Sequence, residues 1–275
     1  MMLKSKYENI LVDVQDGVVT LTLNRPEKMN AMNGPTMHEI HEVLDEMDLD
    51  ENLRVLVITG VGNAYCAGAD FSWAGSTDGP SAGVAGERNY RMMVLGLQEQ
   101  LRTFPRPTVA AVNGHAKGLG FWLAMLCDYV VASPEARFGI PQIRFNIHPN
   151  GGSIKSMLEF VPHRFAVYHL LTGEDITADE AERLFMVNKV VPREQLLKEA
   201  YSFAEKMKQK DAVILRYLKR SIWREKSLSY SEAINLDSMQ SAQVSGVRRA
   251  MGIESLSGLA AMKAEKKSTR RSAKG

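Results

Sequence analysis

The sequence predicts an α/β fold: a spiral of stacked strand–strand–helix layers followed by a helical C-terminal region. Three observations carry this expectation. Apolar runs of strand length alternate with amphipathic runs of helix length. The cycle of strand, short extended piece and helix returns every roughly 40 to 50 residues, as in stacked repeats that bury their apolar faces on one another. From Pro162 onward the pattern is almost entirely helical, and no linker sets it apart.

Taken in order, residues 8–24 read as two strands, with Ile10, Val12 and Val14 alternating in the first and Val19, Leu21 and Leu23 in the second. Asp16-Gly17 between them is a hairpin signal. Asn24-Arg25-Pro26 ends the second strand. Met37, Ile40, Val43, Leu44 and Met47, at three-to-four spacing, predict a helix over about 35–48. Val55 to Ile58 form a buried strand closed by Thr59-Gly60. Residues 74–86 are small and glycine-rich and are expected to be mobile without a ligand. A helix is expected over 87–103 and a strand over 108–112. Tyr129 to Val131 form a further strand, Arg137 to Gly139 a short extended piece, and 151–160 a helix. Helices follow at 163–172, 177–185, 193–209, 211–225 and 230–250.

The 275 residues suit one large domain or a domain with an appendage, and 45% hydrophobic content is ordinary for a globular chain. No apolar run reaches the roughly 18 residues of a membrane helix, and the N-terminus lacks the apolar core of a secretory signal. Cys66 and Cys127 are too few for a disulfide framework or a zinc site, so no metal is expected and a cytoplasmic location fits. Net charge is +2, unevenly spread. From Lys263 onward six basic residues stand against Glu265, making 263–275 a basic tail, expected to be disordered. No aromatic residue interleaves with its charges, which argues against nucleic-acid stacking.

The stretch Asn113 to Asp128 carries the strongest chemical signal. It follows the apolar run Val109 to Val112, passes Gly114, Gly118 and Gly120, and enters a helix at Leu119. A strand, a glycine turn and a helix start present backbone N–H groups that have no internal partner, and the helix dipole adds to their pull on negative charge. A tight turn needing glycine only for sterics is the alternative on this stretch alone.

Three ordered segments then carry a resemblance. Asn24-Arg25-Pro26-Glu27-Lys28-Met29-Asn30-Ala31, Cys66-Ala67-Gly68-Ala69-Asp70, and Ala111 to Gly120 ending in Cys127-Asp128 resemble the crotonase (enoyl-CoA hydratase/isomerase) superfamily in order and spacing. Phe138-Gly139-Ile140-Pro141 and Leu171-Thr172-Gly173 match as well. The resemblance runs over about 7–250, and the downstream half is loosely nearest the hydroxycinnamoyl-CoA hydratase-lyase branch. It implies a crotonase-type ββα spiral superhelix with a C-terminal helical trimerisation region, assembled as a homotrimer or a dimer of trimers. The expected organisation is a core over 1–195 with the acyl-CoA site, helices over 196–262 and the tail. By the same resemblance the substrate is an acyl-CoA thioester, coenzyme A enters as part of it, and no prosthetic group, nucleic acid or membrane is involved. The backbone N–H groups of Ala69 and Leu119 are the implied oxyanion donors. Lys28, Met29 and Ala31 would follow the CoA chain, Lys28 as a point charge for a phosphate. Ala67, Asp70 and Phe71 would lie near the adenine, with Asp70 read as a turn former, and Lys263 is a possible partner of the 3′-phosphate.

The chain departs from the family where hydratases carry two glutamates. Those positions fall at Trp122 and Gln142, and a third carboxylate position of some members falls at Asn150. None of the three titrates near neutrality. His148 is the one imidazole nearby and a candidate base, with a structural role as the alternative. Tyr90 and Glu87, on the helix lining the acyl pocket in relatives, are further candidates; His115 and Glu99 read as packed and solvated. The sequence therefore supports an acyl-CoA-processing lyase- or isomerase-type enzyme in which ordinary hydration is in doubt. Two other readings stand beside it: an acyl-CoA-binding paralogue without catalysis, and a carbon–carbon hydrolase or decarboxylase.

Overall fold

The hairpin opens the chain, in a computed structural model that describes residues 7–76, 79 and 83–253. Strands Ile10–Gln15 (β1) and Val18–Leu23 (β2) pair antiparallel, and Asp16 and Gly17 both adopt positive φ (47° and 76°). That is the backbone a two-residue turn needs to match strand twist. Helix Gly34–Leu49 (α1) is capped by the Asn33 side chain, which accepts from Thr36 N–H, and buries the predicted Met37, Ile40, Val43, Leu44 and Met47.

The layered repeat follows. Strand Val55–Gly60 (β3) is succeeded by Ala64–Cys66 (β4), the short helix Phe71–Ala74 (α2), helix Gly83–Tyr90 (α3), a π turn Arg91–Leu95, and helix Gly96–Thr103 (α4). The next layer is Thr108–Val112 (β5), His115–Lys117 (β6) and helix Leu119–Met125 (α5). The third is Tyr129–Ala132 (β7), Arg137–Gly139 (β8), a 3-10 turn Pro141–Phe145 and helix Ser153–Phe160 (α6). The longer strand of each layer joins one sheet, in the order β1-β2-β3-β5-β7-β10, where Lys189–Val190 is β10. The shorter strands join a second, β4-β6-β8-β9, where Ile176–Thr177 is β9. Each turn of the chain thus adds one strand to each sheet and one helical segment.

Helices His163–Thr172 (α7) and Ala178–Arg183 (α8) precede Leu196–Lys208 (α9). Leu196, Ala200 and Ala204 of α9 pack on Val18, Val55, Val57, Val109, Ala111 and Val131 of the large sheet. The chain divides into two compact units, Met1–Ala212 and Val213–Gly275. Helix α9, which the sequence reading placed beyond the core at 196, therefore covers a sheet face of the first unit. In the second unit, helix Ala212–Glu225 (α10) begins at the division and Tyr230–Ala250 (α11) starts from a Ser229–Glu232 capping box. The buried Ser221 Oγ donates to Gln240 Oε1 at 3.0 Å, tying the two helices together.

Three expectations change. β4 and β6 are three residues each, too short to show a period. β9 and β10 interrupt a region expected to be helical; each is two residues and is held by the neighbouring strand, not by its own pattern. The helix expected over 87–103 starts at Gly83 and is broken by the π turn. Residues 77, 78 and 80–82 of the glycine-rich stretch lie outside the described residues, as do Lys263 and the basic tail. Among the described residues no helix is long and apolar enough to cross a membrane, and no cluster of His, Cys, Asp or Glu could hold a metal.

Candidate active site

β4, β6 and β8 run parallel, with Cys66 beside Ala116 and Lys117 beside Gly139. Their C-terminal ends are level, so the residues that follow emerge side by side: Ala67 to Asp70, Gly118-Leu119 and Ile140 to Gln142. Ligand sites in parallel sheets form at this edge, where strands end and turns diverge.

Glycine makes the close approach possible. Gly68 has φ +110°, and a Cβ there would stand 3.0 Å from the Lys117 carbonyl oxygen and 3.6 Å from the Leu119 nitrogen. Gly118 has φ +51°, donates to the Gly139 carbonyl at 3.0 Å, and a Cβ there would stand 3.9 Å from Gly68 Cα and 3.2 Å from Gln142 Nε2. Both positions disfavour an L side chain by backbone conformation, and at Gly68 the Lys117 carbonyl also stands in the way.

The same geometry aims two N–H groups. Met32 forms a parallel bridge to Ala69, in which Met32 N–H donates to Gly68 O (2.8 Å) and Met32 O accepts from Asp70 N–H (2.9 Å). A parallel bridge engages the groups flanking Ala69, so the N–H of Ala69 itself points the other way. Leu119 is the first residue of α5, whose opening N–H groups have no intrahelical acceptor. Its side chain is buried, so only main chain is offered at this edge.

The predicted CoA-side residues also come together. Met29 O accepts from Ala67 N–H at 3.0 Å, setting the 28–32 segment alongside 66–70. Met29 and Asn30 both take left-handed backbone, which turns Lys28 and Met29 outward; both are exposed, Ala31 is buried, and Phe71 is exposed. Asp70 is a structural group, as its reading as a turn former anticipates. It caps α2 through Ser72 N–H (2.9 Å) and pairs with Arg25 Nη2 at 2.8 Å. Burial pushes its carboxyl up, but hydrogen bonds from the Ser72 hydroxyl and Arg25 outweigh this and hold it at about 2.

Two asparagines that sequence reasoning passed over build this edge. Asn30 Nδ2 donates to the Val61 and Ala64 carbonyls, and its Oδ1 accepts from Arg25 N–H. Asn113 Nδ2 donates to the Gly60, Gly62 and Ala64 carbonyls. Both are buried and saturate the loop between β3 and β4, which has no ladder of its own. Their place inside the two quoted motifs was the available signal.

Trp122 lies one turn into α5, its N–H on the Gly118 carbonyl, with its side chain fully buried and indole Nε1 without a hydrogen-bond partner. Gln142 sits over Gly118 with its Oε1 buried and unpartnered. Tyr90 closes α3; its hydroxyl is buried and unpartnered over Gly151, where a Cβ would stand 2.7 Å from it, and burial raises its pKa. The Asn150 carbonyl receives Ser153 N–H and Oγ–H, so that residue serves the start of α6. His148 is not brought to this group. It is exposed and lines an apolar cavity of about 540 Å³ with Ile143, Ile147, Ile154, Val167 and Leu170, a lining that includes none of Ala69, Leu119, Trp122 or Gln142. Glu87 and Glu99 are exposed, and half-buried His115 lies within β6.

Known proteins resemble this chain in sequence and fold. The family model for enoyl-CoA hydratase/isomerase matches residues 13–257. The chain is 31% identical over 229 residues to a hydroxycinnamoyl-CoA hydratase-lyase of Pseudomonas fluorescens, covering 83% of each. It is 35% identical over 228 residues to a probable enoyl-CoA hydratase of Mycobacterium tuberculosis, covering 83% of this chain and 86% of the other. Among solved structures, an enoyl-CoA hydratase from Polaromonas sp. JS666 superposes with a TM-score of 0.83 at 28% identity, over 93% of this chain and 97% of the other. With two level strand ends, the glycine contact between them and a family match spanning nearly the whole chain, this protein belongs to the enoyl-CoA hydratase/isomerase family of the crotonase superfamily.

Proposed function

We propose that this chain is an enzyme acting on acyl-CoA thioesters and that it stabilises the thioester enolate between the backbone N–H groups of Ala69 and Leu119. The observation that carries the reading is the Gly68–Gly118 approach, which sets an N–H freed by the Met32 bridge beside an N–H at a helix start. Fixed donors at a water-poor edge favour an oxygen on which charge develops, and losing one typically costs about 100- to 1,000-fold. The CoA moiety runs past Lys28, Met29, Ala31 and Ala67 toward Phe71; Asp70 lies on this path near the adenine and shapes it from its ion pair with Arg25.

Hydration by two carboxylates has no counterpart here, because the two positions that would carry them hold Trp122 and Gln142. We assign the chemistry instead to isomerase- or lyase-type turnover of the enolate. A panel of enoyl-, β-ketoacyl-, hydroxyacyl- and arylacyl-CoA thioesters read by product mass tests this. Unchanged mass or fragmentation in at least one class is expected. Complete inactivity with intact CoA-ester binding would overturn the enzyme reading in favour of a binding paralogue, the alternative that Trp122, Gln142 and Asn150 motivate. Assembly as a homotrimer or a dimer of trimers goes with the proposal, and light scattering of the purified chain checks it.

A further inference from the structure

Lys117 ends β6, directly before Gly118 and the Leu119 donor, and the fold buries it. Its side chain crosses the neighbouring strand. Nζ pairs with Asp175 Oδ1 at 2.6 Å, in the turn between α7 and β9, and donates to the Phe138 carbonyl of β8 at 3.4 Å. The crossing falls at Gly139, which stands beside Lys117 in the sheet: a Cβ there would lie 3.7 Å from Nζ and 3.8 Å from Asp175 Oδ1. Asp175 is itself held in place. The residue after it, Ile176, pairs with Phe138, and the His169 ring meets the carbonyl of Glu174, the residue before it, at 3.0 Å. Burial pushes the Lys117 pKa down, and the hydrogen bond and charge of Asp175 offset part of this against Arg137 and Arg144.

We infer that Lys117 is a positioning residue, whose ion pair with Asp175 holds the 117–119 turn where it sets the Leu119 N–H beside that of Ala69. The inference rests on the acyl-CoA reading and deepens it to a residue behind the donors. Three contacts connect the ion pair to that turn. The Lys117 carbonyl is the group Gly68 packs against, 3.0 Å from where a Cβ would stand. The Gly118 N–H donates to the carbonyl of Gly139, the residue the ammonium crosses. Gly173, two residues before Asp175, lies against the Arg144 side chain of the 3-10 turn that follows β8. The side chain is thus anchored at both ends, by its main chain in the donor turn and by its ammonium at the edge of β9, and it resists rotation of the turn. A buried ammonium is costly unless it is paired, and apolar residues of the same volume are often as stable. What the pair adds is direction, because a charge-assisted hydrogen bond fixes geometry and apolar contact does not.

The test uses acetoacetyl-CoA, whose enolate absorbs in the near ultraviolet, bound to the full chain. The enolate-to-ketone ratio of the bound thioester reports how well the two donors meet an oxyanion. The affinity for butyryl-CoA, which does not ionise, reports the rest of the site. Lys117→Met keeps the straight stem and removes the buried charge, and Asp175, with its side chain 32% exposed, is left able to hydrate. The ratio should fall about tenfold while butyryl-CoA affinity stays within about twofold, since a small misplacement of an aligned group can cost up to about 100-fold. Asp175→Asn should move the ratio the same way, and the double variant should lose no more than Lys117→Met, because both changes remove one interaction. A folded Lys117→Met protein with the wild-type ratio overturns the inference. So does a parallel fall in ratio and butyryl-CoA affinity, or a double variant whose losses add. If Lys117→Met does not fold, Asp175→Asn decides by the same two readings. A wild-type chain that binds butyryl-CoA but does not ionise acetoacetyl-CoA removes the oxyanion reading and this inference with it. Binding of neither thioester removes the acyl-CoA reading as well.

Discussion

Replacing Gly68 by alanine should separate the two strand ends on which the proposed chemistry depends. At φ +110° a residue with a Cβ is strained by about 2 kcal/mol. The added methyl would also stand 3.0 Å from the Lys117 carbonyl oxygen, which is backbone and cannot rotate away. The strain corresponds to a melting temperature lower by about 4–8 °C, at roughly 2–4 °C per kcal/mol for a chain of this size. Relief comes from moving Ala67–Asp70 away from Gly118–Leu119, which displaces one of two donors and lowers kcat/KM by about 100-fold. Gly62→Ala is the control. Its φ is +74°, and a Cβ there would meet only Pro26 Cβ at 3.8 Å, so it carries backbone strain without a close approach to Lys117 or Leu119. Thermal melts and steady-state kinetics on the best thioester of the panel would be run on both variants. A folded Gly68→Ala protein with wild-type kcat/KM, or an equal loss in Gly62→Ala, would refute the donor-spacing argument.

Three more outcomes are expected. Asp70→Asn should destabilise the fold by about 1–2 kcal/mol through the weakened cap and the lost Arg25 pair. Because the folded-state pKa is depressed, the carboxylate's stabilisation is present above its unfolded pKa and fades as pH falls toward about 2; melts from pH 7 to pH 2 should therefore converge for wild type and variant at the acid end. His41 bridges α1 to the π turn, its Nδ1 on Gln100 Oε1 and its Nε2 on the Met93 carbonyl at 3.3 Å. His41→Leu should cost about 1–3 kcal/mol and speed hydrogen exchange over 91–100 more than over the sheets. Gly246→Ala, in the exposed middle of α11 with open space around it, should raise stability by about 1 kcal/mol, read as a higher denaturant midpoint.

The hairpin, the main strands and most helices could be read because their signals are local. Asp16-Gly17 dictates its own turn, and the α1 stripe from Met37 to Met47 reports a buried face whatever covers it. Of the short strands, Arg137–Gly139 could be read but Ala64–Cys66 and His115–Lys117 could not, since these are extended through pairing with neighbouring strands. The π turn was equally hidden: the 87–103 segment is helical in pattern throughout, and within the π turn the Met93 carbonyl accepts from the His41 ring. At the site, the glycine motifs located Ala69 and Leu119. The tasks of Asn30 and Asn113 were not legible, because their partners are carbonyls about 30 to 50 positions away, brought near by the fold.

The order and spacing of its motifs by themselves determined the family, the ββα repeat and the absence of carboxylates at positions 122 and 142. These are properties of residue identity and local pattern. Only the tertiary structure decided that Gly68 and Gly118 lie close together, that Asp70 is held by Arg25 and Ser72, and that His148 lines a cavity apart from them. It alone left the indole, amide and phenol of Trp122, Gln142 and Tyr90 buried without partners. The reason is physical: whether a polar atom is satisfied depends on what packs against it, and in this chain those neighbours come from different layers of the spiral.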